Sequence, residues 1–329
     1  MNISIFGSGS WGTAVAVLLS GNGHRVTLWS YTQDEANVIC RKRVNPLLPG
    51  VVIPQSVTVT SDFDAAVKDM DAAVVATPSF AVSETARRLK GRLPEGCIVI
   101  CISKGIEKDS GLRFSQILTG QLGDDAKIAV LSGPSHAEEV GRGILTGCVA
   151  ASNDESVAKK VQDIFMCDRF RVYTSRDVVG VELGAAMKNI IALGAGICDG
   201  MGYGDNTIAM FMTRGLAEIA ELCIAMGGKR ETLLGLAGVG DLIVTCTSRH
   251  SRNRRAGVLI GKGVPPQEAM RQVGAVVEGF YASKVAKELS VKLGVDMPII
   301  SYMYSLLYEG KPVNECAVEL MQRERKAEF

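Results

Sequence analysis

Hydrophobic and polar positions follow two different rhythms along this chain, and the change comes near residue 177. Before it, short apolar runs alternate with mixed stretches. The runs predict strands over 2–6, 24–29, 56–60, 72–76, 97–102, 127–131, 147–151 and 170–174, and the stretches between predict helices over 13–20, 33–43, 62–68, 79–91 and 154–165. Several runs, such as Ala72–Ala76 and Cys97–Ile102, are continuously apolar instead of alternating, as strands buried on both faces are. Alternating strand and helix with such strands predicts a doubly wound, parallel α/β sheet of Rossmann type. After residue 177 the strand rhythm stops. Helical periodicity then covers 177–197, with Asp177 as N-cap, followed by 206–226, 251–260, 267–273, 277–293, 297–308 and 313–323. The expected division is a dinucleotide-binding domain over 1–176 and an all-helical domain over 177–329.

The first unit carries the clearest chemistry. Asn2–Phe6 leads into Gly7-Ser8-Gly9-Ser10-Trp11-Gly12, a GxGxxG run, and then into an apolar helix. Gly7 permits a tight turn, Gly9 lets a pyrophosphate approach the backbone, and Gly12 lets helix and strand pack closely. The N–H groups at the helix start would face the phosphates. The acidic residue expected about 20 positions later, on the adenosine ribose, is missing. The second strand ends Leu28-Trp29-Ser30-Tyr31, with Asp34 too late. No arginine follows directly to clamp a 2′-phosphate either, so NADH and NADPH both stand as cofactors.

In an open α/β sheet, ligands bind beyond the carboxyl ends of the strands. Those ends read Gly7-Ser8-Gly9, Thr77-Pro78-Ser79, Ser103-Lys104-Gly105 and Ser132-Gly133-Pro134-Ser135, with Lys104 the one charged side chain among them. In the helical half, Lys188-Asn189 falls in the middle of the first long helix. By period its face is Val181, Gly184, Ala185, Ile191, Ala192 and Ala195. A lysine on so apolar a face is paired or functional. Burial and a second lysine nearby would lower its pKa toward neutrality, as a proton donor and acceptor requires. Asp241 lies in Gly238-Val-Gly-Asp-Leu242, read as a glycine turn, with Thr245 following. Arg249, Arg252, Arg254 and Arg255 crowd the run after Ser248, and Ser251-Arg252-Asn253 opens a helix. That combination suits a phosphate monoester better than a solvated face.

Composition narrows the alternatives. The chain has 329 residues, 47% hydrophobic and 22% charged, with net charge +1, which argues against a nucleic-acid or membrane-surface binder. Nine cysteines are scattered without CxxC or zinc spacing, as in a cytoplasmic protein with reduced thiols and no metal. No apolar run is expected to reach membrane-spanning length, and a strand from residue 2 leaves no room for a cleavable signal. None of the three histidines has a visible catalytic partner. What remains is metal-independent hydride transfer with a lysine acid/base.

Taken together these motifs resemble the NAD(P)-dependent glycerol-3-phosphate dehydrogenase family in its bacterial form. The resemblance runs through Gly7–Ala14, Ser103–Glu107, Ser132–Glu138, Glu182–Asn189, Gly204–Thr207, Thr213–Glu218, Gly238–Leu242, Ser251–Arg255 and Val277–Gly279. It implies reversible reduction of dihydroxyacetone phosphate to sn-glycerol 3-phosphate, supplying glycerophospholipid synthesis. By the same resemblance Lys188 is the general acid/base, with Lys104, Asn189, Asp241 and Thr245 completing the catalytic set. Gly133, Ser135, Ser251, Arg252 and Asn253 join Lys104, Lys188 and Asp241 in holding substrate. Gly7, Gly9, Ser10, Trp11, Gly12, Tyr31, Lys104, Ala137, Arg252, Val276 and Glu278 line the cofactor. The helical half is similar to the C-terminal domain of 6-phosphogluconate dehydrogenase relatives, which implies a homodimer working on a small molecule, without nucleic acid or membrane. Two positions depart from the family pattern: Ile208 replaces a common lysine, and Tyr31 replaces a frequent histidine or arginine. The rival readings are a related two-domain dehydrogenase for a β-hydroxyacid or ketopantoate-like substrate, a dinucleotide sensor without catalysis, and a nucleic-acid binder using 249–255.

Overall fold

A computed structural model describes residues 1–325, 327 and 328. Its strands are β1 (Asn2–Phe6), β2 (Arg25–Trp29), β3 (Val44–Asn45), β4 (Leu48–Val52), β5 (Thr58–Thr60), β6 (Ala72–Val75), β7 (Ile98–Cys101), β8 (Lys127–Ser132), β9 (Thr146–Ala151) and β10 (Phe170–Ser175). Eight of them form one sheet in the order β10-β9-β8-β7-β6-β1-β2-β5, and β3 with β4 makes a separate hairpin. The chain winds outward in one direction from β1 through β2 to β5 and in the other through β6, β7 and β8. The switch point is therefore the gap between β1 and β6, where open α/β sheets take their ligands.

Successive residues of each strand feed opposite faces. Ile3, Ile5, Leu28, Val74 and Ile100 pack with Ala14, Val15 and Leu19 of helix Ser10–Gly21. Phe6, Trp29, Ala73, Val75 and Val99 pack with Phe63, Val82, Ala86, Phe114 and Leu118 on the other side. Both faces are covered, which is why these strands lack polar alternation. The sheet is doubly wound and parallel as expected, except at one pair: β8 and β9 run antiparallel. The connection between them holds only the four-residue helix Ala137–Val140, too little for a crossover to a parallel neighbour.

The β3–β4 hairpin and helix Phe114–Leu122 were not among the expected elements. Pro49 and Gly50 mask the hairpin as a loop, while Phe114, Ile117 and Leu118 carry a helical period that the turn-rich run before them obscured.

The chain divides into two compact units, one of Met1–Ala185 with Glu231–Asp241, the other of Ala186–Arg230 with Leu242–Phe329. The division falls inside helix Val178–Gly200, whose first turns pack with the sheet unit. Among the described residues the second unit is built of helices, including Asp205–Ala225, Arg252–Gly261, Glu278–Leu293 and Pro298–Tyr308. Contrary to the sequence expectation, one helix is long and apolar enough to cross a membrane. Val178–Gly200 has 23 residues, and an 18-residue window of it has a mean hydropathy of 1.5, but 94% of that window is buried inside the protein, as in a core helix.

Candidate active site

The glycine turn sits at the switch point. Gly7 has φ +122°, and a Cβ there would meet Ala76 O, just past β6, at 2.7 Å. A Cβ on Gly12 would lie 2.0 Å from Gly7 O. These two glycines are packing requirements. Gly9 differs: nothing lies within 4 Å of its Cβ position, so the space in front of it is open. It is the N-cap of helix Ser10–Gly21, which has no side-chain cap and no acidic residue in its first turn. Uncapped N–H groups facing open space fit a dinucleotide pyrophosphate. Trp11 Nε1 donates to Ile102 O at 3.2 Å, tying the helix start to the end of β7. Beyond β2, Tyr31 is 78% exposed and edge-on to the buried Trp29. Ala137 is the first residue of the short helix after β8, with Glu138 and Glu139 behind it.

Lys104 projects from the turn beyond β7. Its Nζ donates to Gly133 O at 2.8 Å, to Ser135 Oγ at 3.1 Å and to Asp241 Oδ2 at 2.9 Å. Three acceptors engage its three N–H donors. Asp241 is 1% exposed and lies against this ammonium group as a buried ion-pair partner. Asp241 is not in a glycine turn, as its neighbours suggested. It is the first residue of α-helix Asp241–Thr247, directly after a π-helical stretch, Leu236–Gly240. Gly238 makes that winding possible, since a Cβ there would strike Leu233 backbone at 2.1 Å. Glycines that pack a helix closely look, in sequence, like glycines that turn a loop. Ser103 Oγ donates to Thr77 O at 2.6 Å and so joins the ends of β6 and β7.

In the helical unit Lys188 is 5% exposed, as its apolar face implied. Its Nζ donates to Thr245 Oγ1 at 2.7 Å. Asn189 is also buried, and its Oδ1 accepts from Asn253 Nδ2 at 3.0 Å. Asn253 Oδ1 accepts in turn from Gly279 N at 2.9 Å. Gly279 is small for a reason: a Cβ there would meet Asn189 O at 2.3 Å. Ser251 caps helix Arg252–Gly261 by accepting from Arg254 N at 3.2 Å. The four arginines separate on inspection. Arg254 is committed to Asp199 at 2.6 Å, while Arg249, Arg252 and Arg255 are exposed. Val276 and Glu278 are half-buried around the start of helix Glu278–Leu293.

The expected residues thus gather as Gly7–Gly12 with Tyr31 and Ala137, as Lys104 with Gly133, Ser135 and Asp241, and as Lys188 with Thr245 beside Asn189 with Asn253. Sequence reasoning missed the ion pair of Lys104 with Asp241, for which nothing in a separation of 137 residues gives a signal.

Residues 2–158 match the NAD-dependent glycerol-3-phosphate dehydrogenase N-terminus, and residues 177–318 match the C-terminus of the same family. The chain belongs to this family. Among its relatives, glycerol-3-phosphate dehydrogenase [NAD(P)+] of Moorella thermoacetica is 51% identical over 99% of this chain and 97% of the relative. The crystal structure of glycerol-3-phosphate dehydrogenase from Coxiella burnetii is 37% identical, with a TM-score of 0.93 over 98% of this chain and 99% of that one. A ketopantoate reductase from Ralstonia eutropha, 17% identical with a TM-score of 0.63 over 98% of this chain and 100% of that one, shares the fold.

Proposed function

We propose that this family member reversibly reduces dihydroxyacetone phosphate to sn-glycerol 3-phosphate with NADH or NADPH, supplying glycerophospholipid synthesis. The observation that carries the reading is Lys188: an ammonium on a buried helix face, hydrogen-bonded to a hydroxyl, in a chain that matches the dehydrogenase family in both halves. A dinucleotide sensor has no use for it. The ketopantoate-like alternative has support from the fold alone.

When bound, the reduced nicotinamide supplies a hydride to the ketone carbon. Lys188 gives a proton to the oxygen as it becomes an alkoxide, and takes that proton back in the reverse direction. Thr245 Oγ1, accepting from Nζ, aims the ammonium. Lys104 contributes fixed positive charge toward the developing oxyanion, and Asp241 keeps it in place. Gly133 and Ser135, which already share Lys104, line the substrate. Ser251, Arg252 and Asn253 hold the phosphate end, with Asn189 keeping Asn253 in position. Gly7, Gly9, Ser10, Trp11 and Gly12 bind the pyrophosphate, and Tyr31, Ala137, Val276 and Glu278 line the rest of the cofactor. The working form in this reading is a cytoplasmic homodimer that engages neither nucleic acid nor membrane.

The test is loss of reduced-cofactor absorbance on adding dihydroxyacetone phosphate, run with NADH and NADPH in parallel. Oxidation with either supports the reading. Cofactor binding without turnover of this substrate, but with turnover of a ketopantoate-like acid, transfers the protein to the alternative.

A further inference from the structure

Lys104 stands in a turn-rich loop between β7 and helix Phe114–Leu122. That loop closes on itself. Ile106 and Arg113 pair as an antiparallel bridge, and Glu107 N donates to Leu112 O at 3.1 Å. The Glu107 carboxylate accepts from Ser110 Oγ at 2.5 Å and from the Ser83 hydroxyl. Whatever fixes Arg113 therefore fixes Ile106, and with it the short link to Lys104.

Arg113 is fixed by Glu182. Its Nη1 donates to Glu182 Oε2 at 2.6 Å, and Ser115 Oγ donates to the same oxygen at 2.5 Å. Ser115 N donates to Oε1 at 2.8 Å. The carboxylate is 7% exposed and lies at the N-terminus of helix Phe114–Leu122, whose N-cap residue, Arg113, has no capping oxygen of its own. Glu182 thus does from a distant helix what a serine or aspartate would do locally, with the helix dipole in its favour. Buried ion pairs are poor sources of net stability compared with apolar residues of the same volume. What this one supplies is a fixed location.

We infer that Glu182 and Arg113 are positioning residues that hold the Lys104 loop in its working place. The inference rests on the reductase reading only for its kinetic arm. The first measurement does not use turnover: Lys104 is acetylated with limiting acetic anhydride and quantified by peptide mass spectrometry against Lys159, an exposed reference. In Glu182→Gln, which keeps the side-chain shape, and in Arg113→Ala, Lys104 should label about tenfold faster as the loop opens locally. Arg113→Lys should recover part of the protection. In the kinetic arm, both variants should lose about tenfold in kcat/KM for dihydroxyacetone phosphate, and should add nothing in a Lys104→Ala background, because they act through that residue.

Should Arg113→Ala fail to fold, Glu182→Gln carries the comparison. Unchanged labelling of Lys104 in folded Glu182→Gln overturns the inference, as does an undiminished kinetic effect in the Lys104→Ala background. A wild-type protein without turnover sinks the reductase reading instead, and the labelling still decides the placement.

Discussion

The three glycines of the first turn make a sharp internal contrast, because the structure gives them different reasons to be glycine. Gly9→Ala adds a methyl where nothing lies within 4 Å, at backbone angles (φ −65°, ψ 177°) that alanine adopts freely. The loss of a tolerated N-cap residue and the gain from a stiffer unfolded chain are each below about 1 kcal/mol and oppose one another. Stability should therefore stay within about 1 kcal/mol of wild type, a shift of a few degrees in Tm. Gly12→Ala places the same methyl 2.0 Å from Gly7 O, a backbone atom that cannot swing aside. Its cost should be about 3 kcal/mol or more.

Cofactor binding should show the reverse order of blame. In Gly9→Ala the methyl occupies the space in which a pyrophosphate meets the helix N–H groups. Weakening or losing one or two charge-assisted hydrogen bonds amounts to about 2–4 kcal/mol, or roughly 30- to 1000-fold in Kd. Calorimetric melting and quenching of tryptophan emission by NADH and NADPH read the two quantities separately. A Gly9→Ala protein that binds both cofactors within threefold of wild type would refute the assignment of this turn. So would one that melts as early as Gly12→Ala, since the open space would then not be open.

Lys188→Ala should lower kcat by several orders of magnitude with little change in cofactor Kd, and near-normal turnover would remove Lys188 from the acid/base role. Arg252→Ala should mainly raise KM for dihydroxyacetone phosphate, while turnover of unphosphorylated dihydroxyacetone stays as slow as in wild type; equal loss on both would separate Arg252 from the phosphate. Glu218 should make stability depend on pH. It is buried and accepts from Ile299 N at 2.7 Å and Ile300 N at 3.1 Å at the start of helix Pro298–Tyr308. Burial pushes its carboxyl from 4.5 up to about 7, with Asp296 adding to the rise and the two N–H groups and Arg323 opposing it. The folded protein then binds the extra proton between those values. The contribution is complete below pH 4.5, declines as pH rises through 7, and amounts to at most about 3 kcal/mol. Guanidinium unfolding at pH 5 and pH 8 should show Glu218→Gln with the shallower pH slope, and an equal slope would contradict the burial argument.

Much of this protein was legible in its residues because the information was local. Apolar runs such as Ala72–Val75 and Ile98–Cys101 must be hidden on both faces, and only a covered sheet does that. Gly7, Gly9 and Gly12 between a strand and a helix admit few other uses. The period of Val178–Gly200 put Lys188 on an apolar face, and the ammonium is buried there. Ser251-Arg252-Asn253 reads as the opening of a helix, and a helix opens there, with Ser251 as its cap.

Tertiary structure decided the relations between distant residues. Lys104 selects Asp241, Arg113 selects Glu182, and Arg254 takes Asp199 out of a run whose members look alike in sequence. It also wound Leu236–Gly240 into a π-helical stretch where the glycines suggested a turn, and turned β9 antiparallel to β8. The physical reason is common to these cases. Helix and strand formation is governed by the order of apolar and polar side chains over a few turns, whereas a buried charge takes whichever opposite charge the completed packing brings within about 3 Å.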